Sequence, residues 1–319
     1  MRTGKKVFLV INALLVFLVL MVGLCSANHQ MKLKNEEIDY KTPGSIVKVD
    51  GHYMSIYSEG HGDTTLVFMA GGGTSSPILD FKSLYSILSD KYRVVVVERF
   101  GYGFSDIVNT SRDVDTVLEE TRSGLQKAGI IGPYVLMPHS MAGIEALYWA
   151  QKHPSEVKAI VGLDMAVPDT YNNYKPNRLL LEFGHIAAAT GVTRIIPSVS
   201  ESDAIKYGSL SKKDKDLYRV IFYRRTATVT MMNETYELKN NATLVGEKAV
   251  PDVPIFLFSS DGTGTGWKAK DWKGFQRTYM SRVRAGKIID LDCSHYVQDR
   301  KYQKIARETD SFLEDINSK

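Results

Sequence analysis

The chain of 319 residues has only two cysteines, Cys25 and Cys293. One of them borders an apolar terminal segment, so no disulfide framework is implied. No cluster of His, Cys and carboxylates falls at a metal-ligand spacing. The phosphate-cradling patterns GxxxxGKS and GxxxxGKT are missing too, which argues against a P-loop nucleotide site. Excess charge is small. The formal net charge is +4, and Arg2, Lys5 and Lys6 supply three of those charges, leaving about +1 for the rest. Nucleic-acid binding needs clustered Lys and Arg, so no nucleic-acid partner is expected. Internal repeats and low-complexity runs are also lacking. What remains is 44% hydrophobic and 24% charged, enough apolar mass for one large globular domain with an insertion.

One apolar run stands apart. Val7 to Leu24 is apolar except for Asn12. Eighteen residues rise about 27 Å as a helix, close to the bilayer core of about 30 Å. The apolar part of a secretory signal is shorter, about 7–15 residues. Residues 1–27 are therefore read as an uncleaved membrane anchor. A signal cleaved near Ala27, giving a secreted protein, is the alternative. Basic residues precede the run, so the N-terminus is expected in the cytoplasm and the domain outside it. Residues 28–43 are polar and read as a spacer.

Beyond the spacer, Ser45–Val49 and Tyr53–Tyr57 alternate around Asp50-Gly51, a hairpin signal. Short apolar strands then alternate with helical segments such as Asp113–Ala128. Strands are expected at Thr65–Met69, Arg93–Val97, Tyr134–Met137, Val157–Leu163, Ile255–Phe258 and Lys287–Leu291. Such alternation predicts an α/β fold with a mostly parallel sheet flanked by helices. The rhythm breaks between Pro168 and Val250. Helix-like stretches at Leu179–Ala189, Ser200–Lys206 and Lys212–Leu238 read as an inserted helical cap. The expected organisation is thus a core over 44–167, a cap over 168–250 and the rest of the core over 251–319.

The chemistry centres on Tyr134-Val135-Leu136-Met137-Pro138-His139-Ser140-Met141-Ala142-Gly143. A buried strand runs into a helix through a very short turn with Ser140 at its apex. That geometry projects a serine hydroxyl above a sheet and aims helix-start amides at the same space. A nucleophilic serine needs a base, an orienting acid and oxyanion donors. Of seven histidines, His295 follows the last expected strand, at a carboxyl strand end where α/β sites form. Two aspartates end strands nearby, Asp261 and Asp164. Asp261 is preferred and Asp164 is the alternative acid. The amide of Met141 is one candidate donor. The other comes from Gly71-Gly72-Gly73, with Gly72 preferred.

These segments together resemble the α/β-hydrolase family, in its branch with a helical cap. The resemblance spans residues 45–316. It is carried by Gly71-Gly72-Gly73, by Glu98 to Asp106, by His139-Ser140-Met141-Ala142-Gly143 and by the late His295. The order Ser140, Asp261, His295 follows the family's order of nucleophile, acid and base. Pro138 and Ala142 stand where the elbow usually has glycines. Ala70 replaces the usual histidine before the oxyanion glycines. Thr263 stands where the family's acid usually lies, which keeps Asp164 open. The resemblance implies a serine hydrolase acting on a small-molecule carboxylic ester or small amide through an acyl-enzyme, with no cofactor. A proline-iminopeptidase-like aminopeptidase and a non-catalytic ligand-binding protein are the other readings of this scaffold.

Overall fold

A computed structural model describes residues 2–318. Helix α1 spans Arg2–Asn35, so the helix runs on through the first half of the expected spacer. It has an 18-residue window of mean hydropathy 3.0 with none of that window buried.

Eight strands form one sheet: β1 Ser45–Val49, β2 His52–Glu59, β3 Thr65–Met69, β4 Arg93–Glu98, β5 Tyr134–Pro138, β6 Val157–Leu163, β7 Ile255–Ser259 and β8 Gly286–Asp290. Their spatial order is β1-β2-β4-β3-β5-β6-β7-β8. The β1–β2 hairpin and the β2–β4 pair are antiparallel. Every pairing from β4–β3 to β7–β8 is parallel. Strands β3, β5 and β7 are buried along their whole length. Their continuous apolar character is therefore what a sheet covered on both faces requires.

The covering helices follow in order. Between β3 and β4 lie α2 Pro77–Asp80 and α3 Lys82–Leu88. Next come α4 Val114–Lys127 and α5 Ala142–Lys152. Between β6 and β7 the chain leaves the sheet for α6 Arg178–Ala189, α7 Asp203–Tyr207, α8 Lys212–Arg225 and α9 Val229–Gly246. Last are α10 Ala269–Met280, α11 Val297–Arg300 and α12 Tyr302–Asn317. Residues of α4, α5 and α10 pack on one face of the sheet, and residues of α3, α11 and α12 on the other.

The stretch expected as one helix over Lys212–Leu238 is two helices. Ala227 takes a left-handed φ of 49°, and the Thr228 hydroxyl accepts the Met231 amide to start α9. Threonine competes for backbone hydrogen bonds in this way and so favours a cap over a helix interior.

Helix α9 is held to the core by buried charges. Arg99, just after β4, donates to Glu145 of α5 at 2.9 Å and to Glu234 of α9 at 3.4 Å. Tyr102 also donates to Glu234. Arg112 donates to Glu120 at 2.7 Å, with its other guanidinium nitrogen 3.6 Å from Glu234.

Candidate active site

Ser140 lies where β5 ends and α5 begins, with a left-handed φ of 53°. A non-glycine residue held there costs about 1–3 kcal/mol unless its surroundings fix it. Here they do. The Ser140 carbonyl accepts the Gly143 amide at 3.0 Å and the Ala166 amide, past the end of β6, at 2.8 Å. The bend turns the Ser140 hydroxyl toward the loop after β8.

His295 sits in that loop. The Ser140 hydroxyl and His295 Nε2 are 2.8 Å apart. On the far side of the ring, Nδ1 is 2.6 Å from Asp164 Oδ2. The tautomer that fits both has Nδ1–H donating to Asp164 and Nε2 accepting from Ser140.

The structure corrects the expected partner of His295. Asp261, the preferred acid, is not the carboxylate at the ring. Its Oδ1 accepts the Thr263 amide at 2.7 Å, within the turn after β7. Such a turn is a common use of aspartate. The aspartate that meets His295 is one strand over, at the end of β6, and it too is left-handed, with φ 47°. Asp164 is fully buried. Its Oδ1 accepts three donors: the Ser260 amide at 2.8 Å, Trp272 Nε1 at 2.8 Å and Gln276 Nε2 at 3.1 Å. Burial disfavours its charge. The hydrogen bond and charge of His295 and the Ser260 contacts outweigh that, so its pKa lies below the usual carboxylate value.

Sequence reasoning missed Ser260, Trp272 and Gln276. The two α10 residues stand four apart, at 272 and 276, so they share one face of the helix. Trp272 also meets the His295 ring edge-on, at a centroid distance of 5.5 Å. The ring of His139 lies 4.6 Å from that of His295, and His139 Nε2 donates to the His295 carbonyl at 3.2 Å. Burial, and then the nearby His295, lower the His139 pKa to about 3. His139 is thus a neutral wall beside the histidine.

The two candidate oxyanion residues are neighbours. A side-chain carbon on Gly72 would sit 2.7 Å from Met141 Sδ, so the glycine loop lies directly against the Met141 side chain. Met141 occupies the N-cap position of α5. Behind this loop lies a buried carboxyl pair, Asp80 at the end of α2 and Asp299 in α11. Gln298 Nε2 donates to Asp80 Oδ2 at 3.0 Å. Burial and, after the opposing Gln298 bond, the charge of Asp203 raise Asp80 to about 7. Burial, then the charges of Asp80 and Asp203, raise Asp299 well above the usual range.

Comparison with known proteins agrees with this architecture. The family model described as alpha/beta hydrolase fold matches residues 64–230. Protein YbdG of Bacillus subtilis (strain 168) is 38% identical over 266 residues, covering 82% of each chain. Among solved structures, a loop variant of a haloalkane dehalogenase from Bradyrhizobium elkanii superposes with a TM-score of 0.65 at 15% identity. It covers 86% of this chain and 97% of its own. An epoxide hydrolase from Vigna radiata superposes with a TM-score of 0.63 at 19% identity, covering 85% and 97%. The chain belongs to the α/β-hydrolase family.

Proposed function

We propose that this protein is a serine hydrolase that cleaves a carboxylic ester or small amide through an acyl-enzyme. The observation that carries the reading is the unbroken chain from Ser140 Oγ through His295 to Asp164, with contacts of 2.8 and 2.6 Å. His295 takes the Ser140 proton as Oγ attacks the substrate carbonyl. Asp164 holds the ring and stabilises the imidazolium that forms. The amides of Gly72 and Met141 receive the oxyanion. His295 then gives its proton to the leaving alcohol or amine. Water, deprotonated by the same nitrogen, releases the acid and restores Ser140. The superposed proteins named above are a dehalogenase and an epoxide hydrolase. A serine hydroxyl in place of a carboxylate nucleophile favours acyl transfer over those chemistries.

We also take α1 as an uncleaved anchor. Its window of mean hydropathy 3.0 supports this, and Lys5 and Lys6 before it favour a cytoplasmic N-terminus. The catalytic test is labelling of the full-length protein with a fluorophosphonate probe. Wild type is expected to label and Ser140→Ala to remain unlabelled. A folded wild type that resists the probe would refute the assignment and favour a non-catalytic role.

A further inference from the structure

Helix α6 leaves most of its large apolar side chains in solvent and buries none of its residues. Its polar residues Arg178, Glu182 and His185 recur at i, i+4 and i+7 and make polar contacts with neighbouring segments, His185 half-buried and the other two exposed. The Arg178 guanidinium lies 4.9 Å from the Tyr236 ring centre, Glu182 accepts the Tyr236 hydroxyl at 3.2 Å, and His185 Nδ1 meets the Ala227 carbonyl at 2.8 Å. The apolar stripe of Leu179, Phe183 and Ile186 has the same spacing and turns outward, 73%, 68% and 53% exposed. Ile195 and Ile196, after α6 in the chain, are each 56% exposed. A helix on a water-soluble surface points its apolar stripe at the core. Large apolar side chains exposed together in this way mark an interaction surface.

The anchor helix shows what that surface meets. Helix α1 does not end at the membrane. It continues into the turn that follows α6. Gly191, at φ 71°, packs so closely on His29 that an added side-chain carbon would lie 2.3 Å from His29 Cβ. Arg194 donates to His29 Nδ1 at 2.9 Å and grips both Glu36 carboxylate oxygens at 2.9 and 2.8 Å. Arg224 pairs with Glu37 at 3.0 Å. No glycine or proline interrupts α1 from Leu24 to Asn35, so the junction is stiff. His29 lies five residues past Leu24, about 7.5 Å along the axis. The headgroup layer of one leaflet is about 5–8 Å thick. The Gly191 end of that turn, packed on His29, therefore sits at headgroup level.

The geometry points to a membrane-docking face: the outward stripe of α6, with Ile195 and Ile196, lies in the lipid interface of the bilayer that α1 crosses. The inference rests on reading α1 as a membrane anchor. It is independent of the catalytic assignment. Docking in this way would fix the orientation of the α6–α9 segment, and the catalytic core beneath it, against the lipid surface.

The test places a solvent-sensitive fluorophore on single cysteines in the full chain, in a Cys25→Ser background. The positions are Leu15→Cys in the anchor, Phe183→Cys and Leu179→Cys on the stripe, and Ile131→Cys, which is 80% exposed in the loop entering β5. The parent without an added cysteine corrects for label on the buried Cys293. Each protein is reconstituted into phosphatidylethanolamine–phosphatidylglycerol vesicles with or without doxyl-labelled phosphatidylcholine. Probes at 15, 179 and 183 are expected to lose about half their fluorescence, the first near the bilayer centre and the other two about 5–10 Å into the headgroup–acyl boundary. The probe at 131 should be unchanged. Quenching at 15 without quenching at 179 and 183 overturns the docking face. No quenching at 15 overturns the anchor, and the docking face with it. Quenching does not depend on turnover, so neither failure bears on the serine hydrolase reading.

Discussion

Asp164→Asn isolates what the buried carboxylate does for His295. Three donors converge on Oδ1, from Ser260, Trp272 and Gln276, while Oδ2 alone faces the imidazole. An asparagine at 164 keeps the three donors only if its oxygen takes the Oδ1 place. Its NH2 group then points at His295 Nδ1 and forces that nitrogen to accept. The ring proton moves to Nε2, so the nitrogen facing Ser140 becomes a donor and cannot act as a base. Loss of the charge adds to this. At an effective dielectric of about 20, a carboxylate about 4 Å from the imidazolium charge contributes about 4 kcal/mol, or about 10³-fold in rate. With the wrong tautomer, a fall in kcat of about 10³–10⁴-fold is expected. The assay is turnover of a chromogenic short-chain ester by full-length protein in detergent, with the thermal midpoint checking the fold. Asp261→Asn is the paired control. Asparagine accepts the Thr263 amide as aspartate does, so the expected change is less than about twofold. A folded Asp164→Asn enzyme within tenfold of wild type would refute this reasoning, as would a larger loss from Asp261→Asn.

Two further outcomes test the buried charges. The folded pKa of Asp80 is about 7, against 3.8 for the free side chain. Between those values the folded protein holds a proton that the unfolded chain releases, so this residue's contribution to stability falls as pH rises through that window. Asp80→Asn should remove the dependence, and its advantage over wild type should grow by about 2–3 kcal/mol from pH 5 to pH 8. Equal differences in denaturant unfolding at both pH values would contradict it. Arg99→Met should destabilise by about 3–5 kcal/mol, because Glu145 and Glu234 lose a buried partner. Hydrogen exchange in α9 should rise with it. A loss below about 1 kcal/mol would show that the cluster does not hold α9 to the core.

The strand pattern was legible because a sheet covered on both faces demands continuous apolar runs, and those runs are local. The bend at Ser140 was legible for the same reason, since Pro138 ends a strand and α5 begins within a few residues. Which aspartate meets His295 was not. Asp164 and Asp261 both follow strands, and β6 and β7 are adjacent in the sheet. The choice depends on Ser260, Trp272 and Gln276, about 100 residues further along the chain, converging on one carboxylate oxygen. The break at Ala227 also escaped, because alanine at a left-handed turn carries no signal of its own.

Helix α6 shows the division most clearly. Periodicity alone read Leu179–Ala189 as a helix-like stretch of the cap. Tertiary structure decided which of its side chains meet protein, through Tyr236, the Ala227 carbonyl and the grip of Arg194 on α1. The physical reason is that a repeat of 3.6 residues records that a helix has two faces. Only the packed neighbours determine which of them meets protein and which is left for another phase.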